Sequence, residues 1–285
     1  MIGIITDSTC DIPESLLEQY GIIVVPLTVV WGDQQYRDRV ELTPLDFYQR
    51  LARDPQRPTT SVPSVQEFEK AYDEATRRGA DELVILTISS AMSGVYQLAV
   101  SFASELKIPV EVIDAKGPTM SLGWQVLAAA RARDAGASLR EIVEAVETVR
   151  KRLALFVSLD TLDYLRQGGR IGEAMKWMGV KLHVRPVILV NHETGKVEPV
   201  GLARTHKSGV DTLFDKFADS LKGLRDLHVA VLHGNAEPEA ESLAERVRSA
   251  LNPAELLIHM TGPVLGVNTG PGALALCGYG EATSG

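Results

Sequence analysis

Residues 83–99 read LVILTISSAMSGVYQLA: a β-branched apolar run, a serine-rich turn, then a helix start built from small residues. A buried strand that ends in Ser89 and Ser90 and re-enters a helix near Ser93 and Gly94 aims backbone N–H groups and hydroxyls at one point. Such a point suits an anionic oxygen pair, a carboxylate or a phosphate. The same residues also fit a plainer reading, in which Ser93 caps its own helix and Gly94 eases the turn.

Upstream, residues 2–6 form a continuous apolar strand ending at Asp7, Ser8 and Thr9, and Asp11, Pro13 and Glu14 supply cap chemistry for a helix through Tyr20, which Gly21 stops. Residues 22–30 read as a second strand interrupted by Pro26, with Gly32 and Asp33 turning it into an edge hairpin through Tyr36 and Arg37. Thr43 and Pro44 open a helix, and 54–63, DPQRPTTSVP, is a loop rich in hydroxyls at Thr59, Thr60 and Ser61. Ser64 and Glu67 fit a capping box for the next helix. Downstream come a strand at 110–113 and helices at 120–135 and 139–150. This alternation predicts a mostly parallel sheet, with the turns after Thr6, Thr87 and Ile113 sharing the rim where ligands sit.

The second half changes character. A strand at 155–159 and a short helix at 160–167 lead to the turn Gly168-Gly169-Arg170, and strands at 184–191 and 196–202 flank the hairpin signature His192 to Gly195. A helix at 207–221, a strand at 228–233, a helix at 238–251 and a strand at 255–260 complete an α/β unit with antiparallel content. Residues 262–279 read as two apolar strands joined by Asn268 to Gly272. The expectation is therefore two α/β domains, 1–153 with a mostly parallel sheet and 154–285 with a mixed, partly antiparallel one.

Composition narrows the function. Hydrophobic residues make up 45% and charged residues 23% of 285, the balance of an ordinary globular protein. With 29 Lys+Arg against 37 Asp+Glu the formal charge is −8, and the short basic clusters at 50–57 and 183–185 read as solvated faces, so nucleic-acid binding is not expected. Cys10 and Cys277 make no disulfide framework, and no basic-then-apolar leader or membrane-length apolar run is present, which predicts a cytoplasmic address. Transient contact with a membrane surface stays open. No His/Asp/Glu spacing argues for a metal, and no phosphate-loop or dinucleotide fingerprint occurs.

Asp7 to Asp11 with Pro13, Thr60 to Ser64, Ser89 to Gln97, Tyr164 to Arg170, and Thr269 to Gly272 together resemble the DegV family of bacterial fatty-acid-binding proteins, also called fatty acid kinase B subunits. The resemblance runs in order over nearly the whole chain. It implies two α/β domains with an acyl chain between them, no cofactor beyond the bound long-chain fatty acid, and no catalysis by the chain itself. Carried over by position, Thr60, Ser61 and Ser93 with the backbone of Gly94 would hold the ligand carboxylate, supported by Asp7, Ser8 and Asn268. Arg170 and Arg204 match arginines associated with presenting that carboxylate to a separate fatty acid kinase subunit, which makes an acyl phosphate from ATP. One departure stands out: the family usually carries a histidine where this chain has Asn268, which cannot ionise in the working pH range.

Two other readings compete. Ser93 could be the nucleophile of an acyl-ester hydrolase, which needs a base; there is no G-x-S-x-G elbow, and His233 or His259 would have to converge on it. Alternatively, the chain could carry a different small carboxylate. A purely structural role predicts no apolar cavity beside the hydroxyls.

Overall fold

The computed structural model describes residues 1–177 and 184–282, so His183 of the 183–185 cluster and the last residues of the expected second domain lie outside the described residues. Strand β1 (Ile2–Asp7) is followed by a 3-10 turn (Ser8–Cys10), helix α1 (Glu14–Tyr20), β2 (Ile23–Val25), β3 (Thr28–Trp31), β4 (Gln34–Arg37), α2 (Pro44–Leu51), β5 (Thr59–Ser61) and α3 (Val65–Arg77). Then come β6 (Glu82–Thr87), α4 (Val95–Ala103), β7 (Val110–Asp114), α5 (Met120–Asp134) and α6 (Leu139–Arg150). The second half runs β8 (Ala154–Ser158), α7 (Asp163–Gln167), a 3-10 segment (Gly172–Trp177), β9 (Arg185–Asn191), β10 (Lys196–Ala203) and α8 (His206–Ser220). It closes with β11 (Leu224–His233), α9 (Glu237–Leu251), β12 (Glu255–Met260), α10 (Pro263–Thr269) and β13 (Leu274–Ala282).

The first sheet has order β2-β1-β6-β7, all parallel. Its strands are apolar without alternation because both faces are covered: Ile4 belongs to one core and its neighbour Ile5 to another. The second sheet, β10-β9-β8-β13-β11-β12, is mixed, with β11 and β12 parallel and the remaining pairs antiparallel. Both sheets pack on α5, which is buried continuously from Met120 to Ala130, apolar on nearly every side and rich in Ala. Trp124 and Leu127 of α5 share one core with Leu155, Ala230 and Leu232 of the second sheet.

Several local expectations give way. The 22–30 stretch is not one strand: β2 stays in the first sheet and β3 pairs with β4 and β5 in a separate antiparallel sheet. Pro26 cannot extend the ladder, and the amide of Leu27 donates instead to Ser8 Oγ at 3.1 Å. The 54–63 loop contains the short strand β5. Asp11 does not cap α1; it sits at φ +50 and its carboxylate accepts from Thr119 Oγ1 (2.6 Å), from Gly262 N (3.0 Å) and from Arg39, leaving Pro13 at the cap position. The Ser64 box does not form, since Glu67 pairs with Lys70 at 2.6 Å. The largest difference is α10, where a strand was expected. Gly262 and Pro263 start a helix, and Gly266 permits close packing, because a Cβ there would lie 2.4 Å from the Phe47 ring.

Candidate functional site

Between the α10 and β5 side and the second sheet lies a mostly apolar cavity. The second sheet supplies one apolar wall through alternate residues: Leu155 and Val157 of β8, Ile188 and Val190 of β9, and Ala273 and Ala275 at the start of β13. Leu27, Ile88, Val264 and Leu265 form the opposite wall. Thr60, Arg170 and Asn268 line both this cavity and an adjoining surface hollow that also includes Arg57, Tyr164 and Gly168. Those three residues therefore mark the mouth.

Five hydroxyl side chains line the cavity: Thr60, Ser93, Thr119, Thr261 and Thr269. Three are committed inside the protein. Thr119 Oγ1 donates to Asp11 Oδ2 (2.6 Å), Thr261 Oγ1 bonds the Tyr48 hydroxyl (2.7 Å), and Thr269 Oγ1 donates to Leu265 O (3.1 Å). Thr60 Oγ1 and Ser93 Oγ have no hydrogen-bond partner among the described residues. Thr60 faces inward because β5 alternates, and the same alternation turns Ser61 outward, where its hydroxyl donates weakly to Val62 O at 3.3 Å. Ser93 is half-buried and does not cap α4; Gly94 holds the cap position, with no side-chain cap bond, and is exposed.

The loop that carries Ser93 is held at several points. Ile88 N donates to Asp7 Oδ2 (2.7 Å), Ser90 N to Asp114 Oδ1 (3.1 Å), and Arg170 Nε to Met92 O (2.9 Å). Asp7 and Ser8 thus stand behind the wall and not on it. Burial raises the Asp7 carboxyl above the ordinary range, against hydrogen bonds from Thr9 and from Ile88. Ser8 Oγ donates to Asp38 Oδ2 at 2.6 Å, and burial, opposed by nearby Arg39, pushes Asp38 up to about 7.

At the mouth, Asn268 Nδ2 donates to Val264 O (3.0 Å), and its Oδ1 sits so close to Gly168 that a Cβ there would lie 2.1 Å away. Arg170 also donates to Gly168 O. Arg204 is exposed beyond β10 and lines neither hollow; its neighbour Ala203 is paired with Arg185, which forms an ion pair with Asp160. Sequence reasoning missed Arg57, which lies over the Tyr164 ring at 4.7 Å and donates to its hydroxyl at 2.7 Å. Only its place inside the 54–63 loop, two residues before Thr59, pointed to it.

Among the described residues no histidine bonds Ser93. Neither His233 nor His259 lines the cavity: His233 Nδ1 accepts from Ala236 N (3.1 Å), and His259 Nε2 lies 3.3 Å from Arg39. Among the described residues no group of three His, Cys, Asp or Glu side chains is placed to hold a metal, and no helix is long and apolar enough to cross a membrane.

The family described as "Uncharacterised protein, DegV family" matches residues 1–281. A DegV domain-containing protein of Streptomyces coelicolor is 37% identical over 277 residues, 96% of this chain and 97% of its own length. Among solved structures, one described as the fatty acid binding of a DegV family protein from Thermus thermophilus has a TM-score of 0.91 at 33% identity, covering 98% of this chain and 99% of that one. A stearic acid-binding protein from Eubacterium ventriosum also has a TM-score of 0.91, at 27% identity and with 99% of each chain covered. DegV of Bacillus subtilis, described as a fatty acid binding protein, has a TM-score of 0.88 at 28% identity over 98% of this chain and 99% of its own. Matched in sequence and in fold along almost its entire length, the chain belongs to the DegV family.

Proposed function

We propose that this chain is a fatty-acid carrier whose cavity encloses an acyl tail while Thr60 and Ser93 grip the carboxylate at the mouth. The observation that carries this reading is the contrast among the wall hydroxyls: the only two without a partner among the described residues line a largely apolar cavity, with Thr60 at its mouth. Tail burial supplies affinity at about 0.8 kcal/mol per methylene, and the two hydroxyls fix orientation. The fatty-acid-binding relatives of the same fold support the ligand class.

The carrier itself performs no covalent step. A separate fatty acid kinase subunit phosphorylates the presented carboxylate, with Arg170 at the mouth and Arg204 on the outer surface meeting the acidic or phosphorylated partner. Asp7 and Ser8 act on the ligand indirectly, through Ile88 and Leu27. The exchange takes place in the cytoplasm, and the two lobes divide at 153/154, where the second sheet begins. Replacing Thr60 and Ser93 together by alanine should weaken hexadecanoic acid binding by about a hundredfold or more, the loss of two hydrogen bonds to a charged group. Equal affinity of this double variant and the native chain in a fluorescence or calorimetric titration would refute the grip.

A further inference from the structure

The hairpin formed by β9 and β10 belongs to the second lobe, and three of its side chains, Ile188, Val190 and Val197, line the tail cavity. Its tip reaches the first lobe. Ser89 Oγ, fully buried, donates to Gly195 O at 2.8 Å and accepts from Ala91 N at 3.2 Å. The carbonyl of the same Ser89 accepts from Met92 N (2.9 Å) and Ser93 N (3.1 Å). Both oxygens of Ser89 are therefore spent on the turn that presents Ser93, and one of them is tied to the opposite lobe. The approach leaves room only for glycine at 195: φ is +71, and a Cβ would lie 2.2 Å from Ser89 Oγ.

We infer that Ser89 is a positioning residue, which holds the carboxylate-gripping turn against the tip of the hairpin that walls the tail. Head-group geometry is thereby set by where the tail wall lies. A tail that seats the hairpin fully keeps Ser93 aimed at the mouth, and one that displaces the hairpin pulls the turn with it. This inference rests on the proposed role of Ser93 in binding the carboxylate.

The test compares dissociation constants for hexadecanoic acid and hexadecan-1-ol in the native chain, Ser89→Ala, Gly195→Ala and Ser93→Ala. Ser89→Ala, which removes one oxygen and no bulk, should cut the preference for acid over alcohol by about fivefold, one hydrogen bond's worth, while leaving the affinity for the alcohol unchanged. Gly195→Ala, which separates the same contact from the other lobe, should lower that preference in the same direction if it folds; Ser89→Ala decides the matter if it does not. An unchanged preference in Ser89→Ala overturns the inference. If Ser93→Ala then loses the preference, the grip assigned to Ser93 stands without it; if Ser93→Ala is also unchanged, both fall together.

Discussion

Thr60 and Ser93 show at the scale of single residues how a protein keeps hydroxyls available: the backbone aims them into a cavity and offers them no internal partner. Their removal should therefore leave the melting temperature of the ligand-free protein almost unchanged, since surface changes outside a bonded network move stability by about 0.5 kcal/mol or less. Asp38 is the opposite case, a carboxyl with Oδ1 buried and unpartnered and Oδ2 bonded by Ser8. Its folded pKa of about 7 lies above the ordinary 3.8, so between these values the native state holds a proton that the unfolded state has lost. Its contribution to stability is complete below about pH 4 and is lost as pH rises through 7, with a slope of up to about 1.4 kcal/mol per pH unit. Urea unfolding of Asp38→Asn against the native chain across this range should show the mutant without that decline; parallel profiles would contradict the buried-acid account. The sequence marks Ser93 locally, as a hydroxyl after a strand end, but singles out Thr60 only through the family resemblance; that both line one cavity without partners emerges from the fold. The indirect placement of Asp7 and Ser8 was not legible, because it depends on Leu27 and Ile88 arriving from other strands.

Among the elements, the parallel strands and the hairpin around His192 to Gly195 were readable from apolar runs and turn residues. Helix α10 was not. Its residues, PVLGVNT, have the Val and Leu content of a strand, and what makes them helical is tertiary: a proline start after Gly262 and a glycine that seats the helix on Phe47 and Tyr48. The split between β2 and β3 escaped for a related reason, since Pro26 announces an interruption but not a change of sheet. The hairpin is docked by a second bond, Ser121 Oγ to His192 Nε2 at 2.8 Å, and burial lowers His192 from 6.5 to about 4. The unfolded chain thus binds a proton there before the native one does. Stability from this contact is present above about pH 6.5 and is lost as pH falls through 4. His192→Gln should flatten the acid-side decline between those values, read as the difference in thermal unfolding between mutant and native chain; an undiminished decline would mean that the hairpin docks by other contacts. This term and that of Asp38 oppose each other, so only difference profiles separate them.

At the scale of the molecule, the two halves share a core through α5 and are also joined along it, where Arg131 bonds Glu255 (2.8 Å) and Trp124 packs edge-on against Tyr279 (5.8 Å between centroids). A ligand lying between the sheets touches both halves, so binding and folding are linked. Delipidated protein should melt lower than loaded protein, and added hexadecanoic acid at a hundred times its dissociation constant should restore about 2.7 kcal/mol; a melting temperature indifferent to the acid would place the ligand elsewhere. The alternation of strands and helices foretold two α/β halves, but not that one helix would serve as common core, because the all-round burial of α5 belongs to the assembled whole. The most direct measurement is native mass spectrometry of the purified protein, followed by denaturing extraction and identification of what is released. One long-chain fatty acid per chain is expected, with the mass excess lost on unfolding. A chain that emerges empty and takes up no added fatty acid would contradict it.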